Sequence, residues 1–457
     1  MEENGKMSEA DVQETQVQVR FTTKLRDEFR VVSTPFAVPS SLTRYGLSEV
    51  INALLGRDKP IPFDFLLDDE LIRTSLEDLL LAKNLSAESI LNIEYIPAVV
   101  PPIPKESQLH DDWVSAVDAS LASYIVTGSY DTFARLWSVA GTCVGVLEGH
   151  TDAITSVSVI PTPGLIDAAL ALLLFQPLKA VSHGDNISIV TGSKDRTLRM
   201  WKVPTDNSSS IKTVKPTRCF KGHTSSVQSV AASPSGMQIC SGSWDSSIML
   251  WRTSEDALEP EEEEIAKKRK LAGPDVDTQL AETEVSAKAT FDGHTQCVSA
   301  VAWAAEDYLF SVSWDHSVRS WNVETGANTS TMSCSKALHC LSVGGEGSAL
   351  LATGGADNVL RVWDPRIVGV VAPILQLTSH KGWITSCKWH PRSTFHLLSA
   401  SHDGTIKVWD TRAKVPLYTV EAHKDKVLCA DWWKEDCIVS GGADSKLSIM
   451  REAKFNL

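Results

Sequence analysis

The chain has 457 residues, more than one ordinary compact domain holds unless it is built from repeats. Hydrophobic residues make up 43% and charged residues 22%, the balance of a soluble globular protein and not of a disordered or membrane-embedded one. A formal net charge of −14 argues against nucleic-acid affinity based on phosphate neutralisation, which needs clustered Lys and Arg, and makes protein partners the default.

Met1 to Asp11 is polar and acidic and is no signal peptide; residues 1–14 are expected to be disordered. From Thr15 the grammar changes. The runs V-Q-V-R-F-T-T (Val17–Thr23) and F-R-V-V-S (Phe29–Ser33) alternate like the strands of a hairpin. Leu42 to Leu55, with apolar Leu42, Tyr45, Val50, Leu54 and Leu55, suits an amphipathic helix that stops at Gly56. Phe63–Leu67 reads as a third strand, Leu76–Lys83 as a short helix or turn, and Ile90–Tyr95 as a last strand. This order is that of a small α+β ubiquitin-like β-grasp domain, placed at residues 15–97. A Pro-rich linker, 98–109, follows, and within it Ile103–Leu109 is the segment available as an edge strand, kept short by Pro101, Pro102 and Pro104.

From His110 one pattern recurs to the end of the chain. A His opens it, a strand follows, then a small-residue strand end of the type S-G-S-x-D, and a Trp six residues after that Asp. The pairs are Asp131 with Trp137, Asp195 with Trp201, Asp245 with Trp251, Asp315 with Trp321, Asp357 with Trp363 and Asp403 with Trp409. A seventh has Asp444 with Met450 in the Trp place. The histidines are His110, His150, His223, His294, His380 and His423; the fifth repeat has none there. A buried carboxylate is tolerable only when paired, so Asp is expected to accept from backbone and from the His, with Trp packed over them and a hydroxyl such as Ser241 completing the set. The repetition resembles the WD-repeat family, whose unit is a four-stranded propeller blade of about 40 to 45 residues. The expected fold is therefore an all-β, seven-bladed WD-repeat β-propeller at 110–457, closed by the 103–109 segment and preceded by the ubiquitin-like domain.

Two interruptions break the period. His150 stands 45 residues before Asp195, twice the usual separation, so residues 162–184 are extra; this apolar run is an atypical insertion or a docking helix. The second, 253–287, falls between repeats three and four and carries Glu261–Glu264 and then Lys267, Lys268, Arg269 and Lys270. It lacks the apolar residues for a core, reads as a surface loop, and its basic tetrad is a candidate nuclear import signal.

No catalytic residue or cofactor is expected. His, Ser and Asp return in nearly every repeat, whereas a nucleophile site occurs once, and no phosphate loop, H-E-x-x-H or G-x-S-x-G is present. The nine cysteines form no C-x-x-C pair and read as buried reduced thiols. The most apolar run, Leu165–Leu178, contains Asp167 and Gln176 and is too short to span a bilayer.

The runs S-L-T-R-Y-G-L-S-E-V-I-N-A-L-L-G (Ser41–Gly56), P-F-D-F-L-L-D-D-E-L-I-R-T-S-L (Pro62–Leu76) and I-E-Y (Ile93–Tyr95) resemble the NLE domain. With H-D-D-W-V-S and G-S-Y-D-T in the first repeat, nearly the whole chain is similar to one family. That family is the NLE-containing WD-repeat ribosome-biogenesis factors, the propeller partner of pescadillo and block-of-proliferation in the PeBoW complex. Notchless shares the architecture but normally carries an eighth blade. The resemblance implies a nuclear, nucleolar and nucleoplasmic scaffold for ribosomal RNA processing and 60S assembly on pre-60S particles. It also implies removal by midasin, a giant AAA-type ATPase, whose MIDAS metal would take a carboxylate from the NLE domain; the matching position is Glu88.

Partner contacts of a propeller are expected at the residues just before each tight-turn Asp. Among these, Tyr130, Trp244 and Trp314 have the aromatic chemistry of binding hot spots. Two other readings are open: a ubiquitin-pathway adaptor, from the ubiquitin-like fold joined to a propeller, and direct RNA contact, which the acidic charge opposes.

Overall fold

The computed structural model describes residues 15–25, 27–56, 60–68, 70–86, 89–98, 103–161, 186–204, 211–253, 282–345, 347, 349–367, 372–413, 415–434 and 437–451. Glu88, Lys267–Lys270, residues 1–14 and residues 162–184 lie outside the described residues. Two compact units divide the chain, Met1–Val100 and Pro101–Leu457.

The first unit is a five-stranded sheet backed by helix. Strands β1 (Gln16–Thr22), β2 (Phe36–Pro39), β3 (Phe63–Leu67), β4 (Glu70–Leu71) and β5 (Leu91–Pro97) lie in the order β2-β1-β5-β3-β4, with β1 and β5 parallel. Period-two alternation puts Val17, Val19 and Phe21 of β1 into a core with Phe63, Phe65 and Tyr95. Helix α1 (Arg44–Leu55) buries Leu47, Ser48 and Ile51 and ends at Gly56, whose φ of 61° closes the last turn. Of the residues expected to face inward, Leu42, Val50 and Leu55 pack partly buried against this core, whereas Tyr45 and Leu54 are exposed. Helix α2 (Leu76–Lys83) starts at Ser75, whose hydroxyl accepts the Asp78 N–H at 3.2 Å. Asp64, buried on β3, is tolerated because Arg44 and Arg73 flank it.

The expected second strand at Phe29–Ser33 is corrected to Phe36–Pro39. Phe29 closes a 3-10 turn instead, and the Tyr95 hydroxyl donates to the Phe29 carbonyl at 2.5 Å and accepts the Val31 N–H at 3.1 Å. That hydroxyl takes main-chain groups a sheet ladder would have used, and the pairing moves on to Val17 with Val38 and Val19 with Phe36.

Among the described residues the second unit holds seven sheets of four or five strands. Their innermost strands are Val114–Asp118, Ile154–Ile160, Val227–Ala232, Val298–Ala305, Leu338–Gly344, Ile384–Trp389 and Val427–Trp433, each packed beside the next and the last beside the first. The sheets are blades one to seven of a propeller. Hydrogen bonds stitch neighbouring blades: Ser115 Oγ donates to the Ile154 carbonyl at 2.5 Å and Thr155 Oγ1 to the Val227 carbonyl at 2.6 Å. Across the junction of blades seven and one, the Ala119 N–H donates to Asp431 at 3.0 Å and Trp433 Nε1 to the Leu121 carbonyl at 3.1 Å.

Blade seven takes its outermost strand from the start of this unit: Ile103–Leu109 pairs antiparallel with Lys446–Arg451, Gln108 opposite Leu447. The circle is held by one edge pairing between the two ends of the unit, which removes an open sheet edge. The 253–287 interruption lies inside blade three, between its third strand (Ile248–Arg252) and its outermost (Ala289–Phe291), and not between blades three and four. Read from its His to its Trp, a repeat covers only the three inner strands of a blade, so the interruption precedes that blade's outer strand.

Blades one and two each carry an unexpected fifth strand. Lys212–Val214 runs parallel to the outer strand Cys143–Leu147 of blade one, and Thr283–Val285 runs parallel to Arg218–Lys221 of blade two.

Candidate partner surface

The side chains that position this surface belong to the hairpin between the second and third strand of each blade. The residue after the turn Asp sits in the left-handed region, with φ of 68° at Ser246 and 69° at His316. Asp makes that turn affordable by accepting the N–H two residues on: Thr197 to Asp195 at 2.9 Å, Ser247 to Asp245 at 3.0 Å, Ser317 to Asp315 at 3.0 Å.

The carboxylate also reaches the His of the preceding loop in five blades, through its other oxygen in all but blade seven. His150 meets Asp195 at 2.7 Å, His223 Asp245 at 2.9 Å, His294 Asp315 at 2.8 Å, His380 Asp403 at 3.0 Å and His423 Asp444 at 2.8 Å. The second ring nitrogen meets a hydroxyl on the second strand, which also accepts the Trp indole N–H. Ser241 sits 2.7 Å from His223 and 2.9 Å from Trp251; Trp201, Trp321 and Trp409 repeat this on Thr191, Ser311 and Ser399. In blade seven Met450 fills the Trp place and Ser440 serves His423 alone. Burial pushes the Asp245 carboxyl up, but the bonds from His223 and Ser247 outweigh it and hold it well below the usual range. Asp195, Asp315 and Asp403 behave alike.

Blades one and five differ. Arg135 takes Asp131 at 2.6 Å and Arg361 takes Asp357 at 2.6 Å. Trp137 and Trp363 keep their hydroxyls, Thr127 and Thr353. His110 bonds Thr127 but leaves Nδ1 buried without a partner, and burial, helped by the Arg135 charge, pushes the ring down to about 4. The expected His110–Asp131 pair is therefore replaced by an ion pair. The cause is local: in blades two, three, four and six the residue two after Asp is Thr or Ser, whose hydroxyl bonds the carboxylate at 2.6 Å. Phe133 and Val359 have none, and an Arg four residues after the Asp takes the carboxylate; blade seven, with Lys446 and Ser448 at these two places, keeps the His423 pair.

These hydroxyls, imidazoles and carboxylates are consumed by each other in the frame. Among the described residues no group of three or more His, Cys, Asp or Glu could hold a metal. None of their helices is long and apolar enough to cross a membrane.

The residue before each Asp stands at the rim, its N–H fixed by the innermost strand's entry residue. Trp244 donates to the Ser226 carbonyl at 2.9 Å, Trp314 to Cys297 at 3.0 Å, His402 to Trp383 at 2.9 Å and Tyr130 to Trp113 at 2.9 Å. Trp244 and Trp314 meet edge to face at 4.7 Å. From there the contacts run on through His339 (5.6 Å from Trp314), Trp383 (5.6 Å) and His402 (5.7 Å). An aromatic belt thus crosses blades three to six, with Trp244 45% and Trp383 50% exposed. Burial lowers the His339 and His402 pKa values, so the belt is uncharged at pH 7, and Nε2 of His339 is buried with no partner among the described residues.

Tyr130 is not part of it. It stacks on Trp113 at 5.5 Å and Lys194 caps its ring at 4.1 Å, a second and cationic group on blades one and two. The sequence reading named Trp244, Trp314 and Tyr130 but missed Trp113, Trp383 and His339 as rim aromatics. A signal was there for the first two: each lies three residues after its loop histidine, in H-D-D-W and H-K-G-W.

Comparison with known proteins agrees with both units. The NLE (NUC135) domain model matches residues 17–80. The WD domain, G-beta repeat model matches residues 141–202, 214–252, 286–322, 327–364, 372–410 and 414–449, six repeats that together span much of the propeller. A rice protein, "Ribosome biogenesis protein WDR12 homolog" of Oryza sativa subsp. japonica, is 50% identical over 439 residues, 95% of this chain and 96% of its own length. The chain belongs to the WDR12/YTM1 family. The Arabidopsis thaliana protein of the same title is 48% identical over 436 residues, 94% of this chain and 95% of its own. "Ribosome biogenesis protein YTM1" of Saccharomyces cerevisiae is 34% identical over 478 residues, 95% and 97% of the two chains. WDR12/YTM1 membership rests on nearly the whole length; the NLE match ends before the Glu88 turn, and the first repeat is seen by geometry and not by the repeat model.

Proposed function

We propose that this protein is a non-catalytic scaffold of ribosome biogenesis, acting in the maturation of large-subunit ribosomal RNA and the assembly of the 60S subunit. Full-length similarity to proteins titled ribosome biogenesis proteins carries the reading. It works on pre-60S particles in the nucleolus and nucleoplasm, within a PeBoW-like complex of pescadillo-like and block-of-proliferation-like proteins. Lys267–Lys270 serves import.

The propeller docks its partner through the aromatic belt. An uncharged array of Trp and His, half exposed and with an unpartnered imidazole nitrogen, has the composition of an interface centre. The double variant Trp244→Ala, Trp314→Ala removes two such anchors and is expected to weaken the block-of-proliferation-like contact at least tenfold, leaving the thermal midpoint of the propeller near that of the parent. Titration calorimetry with the purified partner checks this, and an early-melting variant that binds as before refutes it.

The NLE domain supplies the release handle. Glu88, between α2 and β5, gives its carboxylate to the open position of the divalent metal in a midasin-type MIDAS domain, and the ATPase then pulls the factor off the particle. Glu88→Ala is expected to abolish binding to that MIDAS domain with unaltered folding; unchanged binding removes the assignment.

A further inference from the structure

The propeller shows on its own body what its outer edges accept. On blade one, Lys212–Val214 lies parallel to the outer strand, with Val214 beside the buried Leu147. On blade two, Thr283–Val285 does the same, with Val285 beside the buried Phe220. Both segments are three residues long and read x-x-Val, and both place the Val against a large apolar outer-strand residue packed in the core, Leu147 or Phe220. On blade one the residue after Leu147 completes the join: the Glu148 N–H donates to the Val214 carbonyl at 3.1 Å.

Among the described residues the outer strands of blades three to seven have no such cover. Four of them are blunted as exposed edges usually are. Ala289–Phe291 and Leu375–Thr378 are short, Pro416–Glu421 begins with Pro and ends with Glu, and Ile103–Leu109 contains Pro104, Lys105 and Glu106. The outer strand of blade four, N-T-S-T-M-S at Asn328–Ser333, is six residues without proline or charge, exposed along its length except for Met332.

Met332 stands opposite Val318, as Leu147 stands opposite Ala134 and Phe220 opposite Leu198, so it is the equivalent core residue. The Cys334 N–H bonds inward to the His316 carbonyl at 2.7 Å. In an antiparallel ladder such bonds alternate, so the main-chain groups of Thr331 and Ser333 face outward. Ser333 holds the place of Glu148, with the same free donor.

We infer that the outer edge of blade four is a β-augmentation site, which takes an extended segment of another polypeptide as a parallel fifth strand with a valine-like side chain beside Met332. Backbone pairing supplies the affinity and side-chain contact beside Met332 the preference.

The test uses the full chain and, as probe, the synthetic peptide I-K-T-V-K-P-T, a copy of Ile211–Thr217. Hydrogen exchange is followed by mass spectrometry over residues 328–334, without peptide and at millimolar peptide. The expected result is exchange slowed at least threefold, with no slowing by the peptide in which Val214 is replaced by Pro, nor in the Ser333→Pro chain, which loses only an outward N–H. The peptide variant leaves the chain unaltered, so the test stands even if Ser333→Pro folds poorly. Unchanged exchange, equal slowing by the Val214→Pro peptide, or slowing confined to another blade overturns the proposal. So does protection that grows with protein concentration alone, which would make a second copy the occupant.

Discussion

Ser241 shows how much one hydroxyl does in this fold. Its oxygen holds both His223 and Trp251, and through His223 it fixes Asp245 and the hairpin that carries Trp244. Ser241→Ala leaves two buried polar groups without a partner and is expected to cost about 2–4 kcal/mol, read as a lower urea midpoint; a loss under ~0.5 kcal/mol would show that the set is decorative. His110 gives a pH signature. Burial holds its folded pKa at about 4, below the ordinary 6.5, so the unfolded chain takes up the proton first as pH falls. Its contribution is therefore complete above pH 6.5 and is lost as pH drops toward 4, about 2 kcal/mol between pH 7 and 5. His110→Gln is expected to flatten the stability profile over that window, and an unaltered slope contradicts the assignment. Below it the depressed carboxyls of Asp195, Asp245, Asp315 and Asp403 add their own loss. The residue pattern made the Asp and Trp places legible, but not the partner of each Asp. That depended on two places together: a hydroxyl two residues on, as in D-R-T and D-H-S, or in its absence an Arg four residues on, as in D-T-F-A-R and D-N-V-L-R.

At the scale of elements, the edge strand Ile103–Leu109 decides whether the circle closes. Gln108 and Ser107 face Leu447 and Ser448 and supply the only outer strand of blade seven among the described residues. A chain that starts at His110 should therefore expose the edge of Lys446–Arg451, melt earlier and self-associate in light scattering; a stable monomer with the parent midpoint would mean the pairing is dispensable. Elements were readable where periodicity was long, as in Gln16–Thr22 and the blade strands. They were misplaced where a single side chain redirects the backbone: Phe29–Ser33 alternates well enough for a strand, yet the Tyr95 hydroxyl, 64 and 66 residues away, claims its groups. The parallel strands at Lys212–Val214 and Thr283–Val285 were invisible because three residues carry no period, and their partners are set by the closed ring.

For the whole molecule, the ring converts seven local hairpins into one continuous rim. No window of sequence shows that Trp314 and Trp383, in blades four and six, are linked through His339 of blade five. Nor does it show that Tyr130 falls outside the belt under Lys194. We propose that this rim, and no chemistry of its own, ties the protein to the assembling large subunit. The direct test is sedimentation of the tagged chain from nuclear extract on a sucrose gradient, parent against the Trp244→Ala, Trp314→Ala variant. The parent should co-sediment with precursors of the 60S subunit, while the folded variant should remain in the light fractions. A parent chain absent from those precursors, or a variant still fully bound to them, would contradict the account.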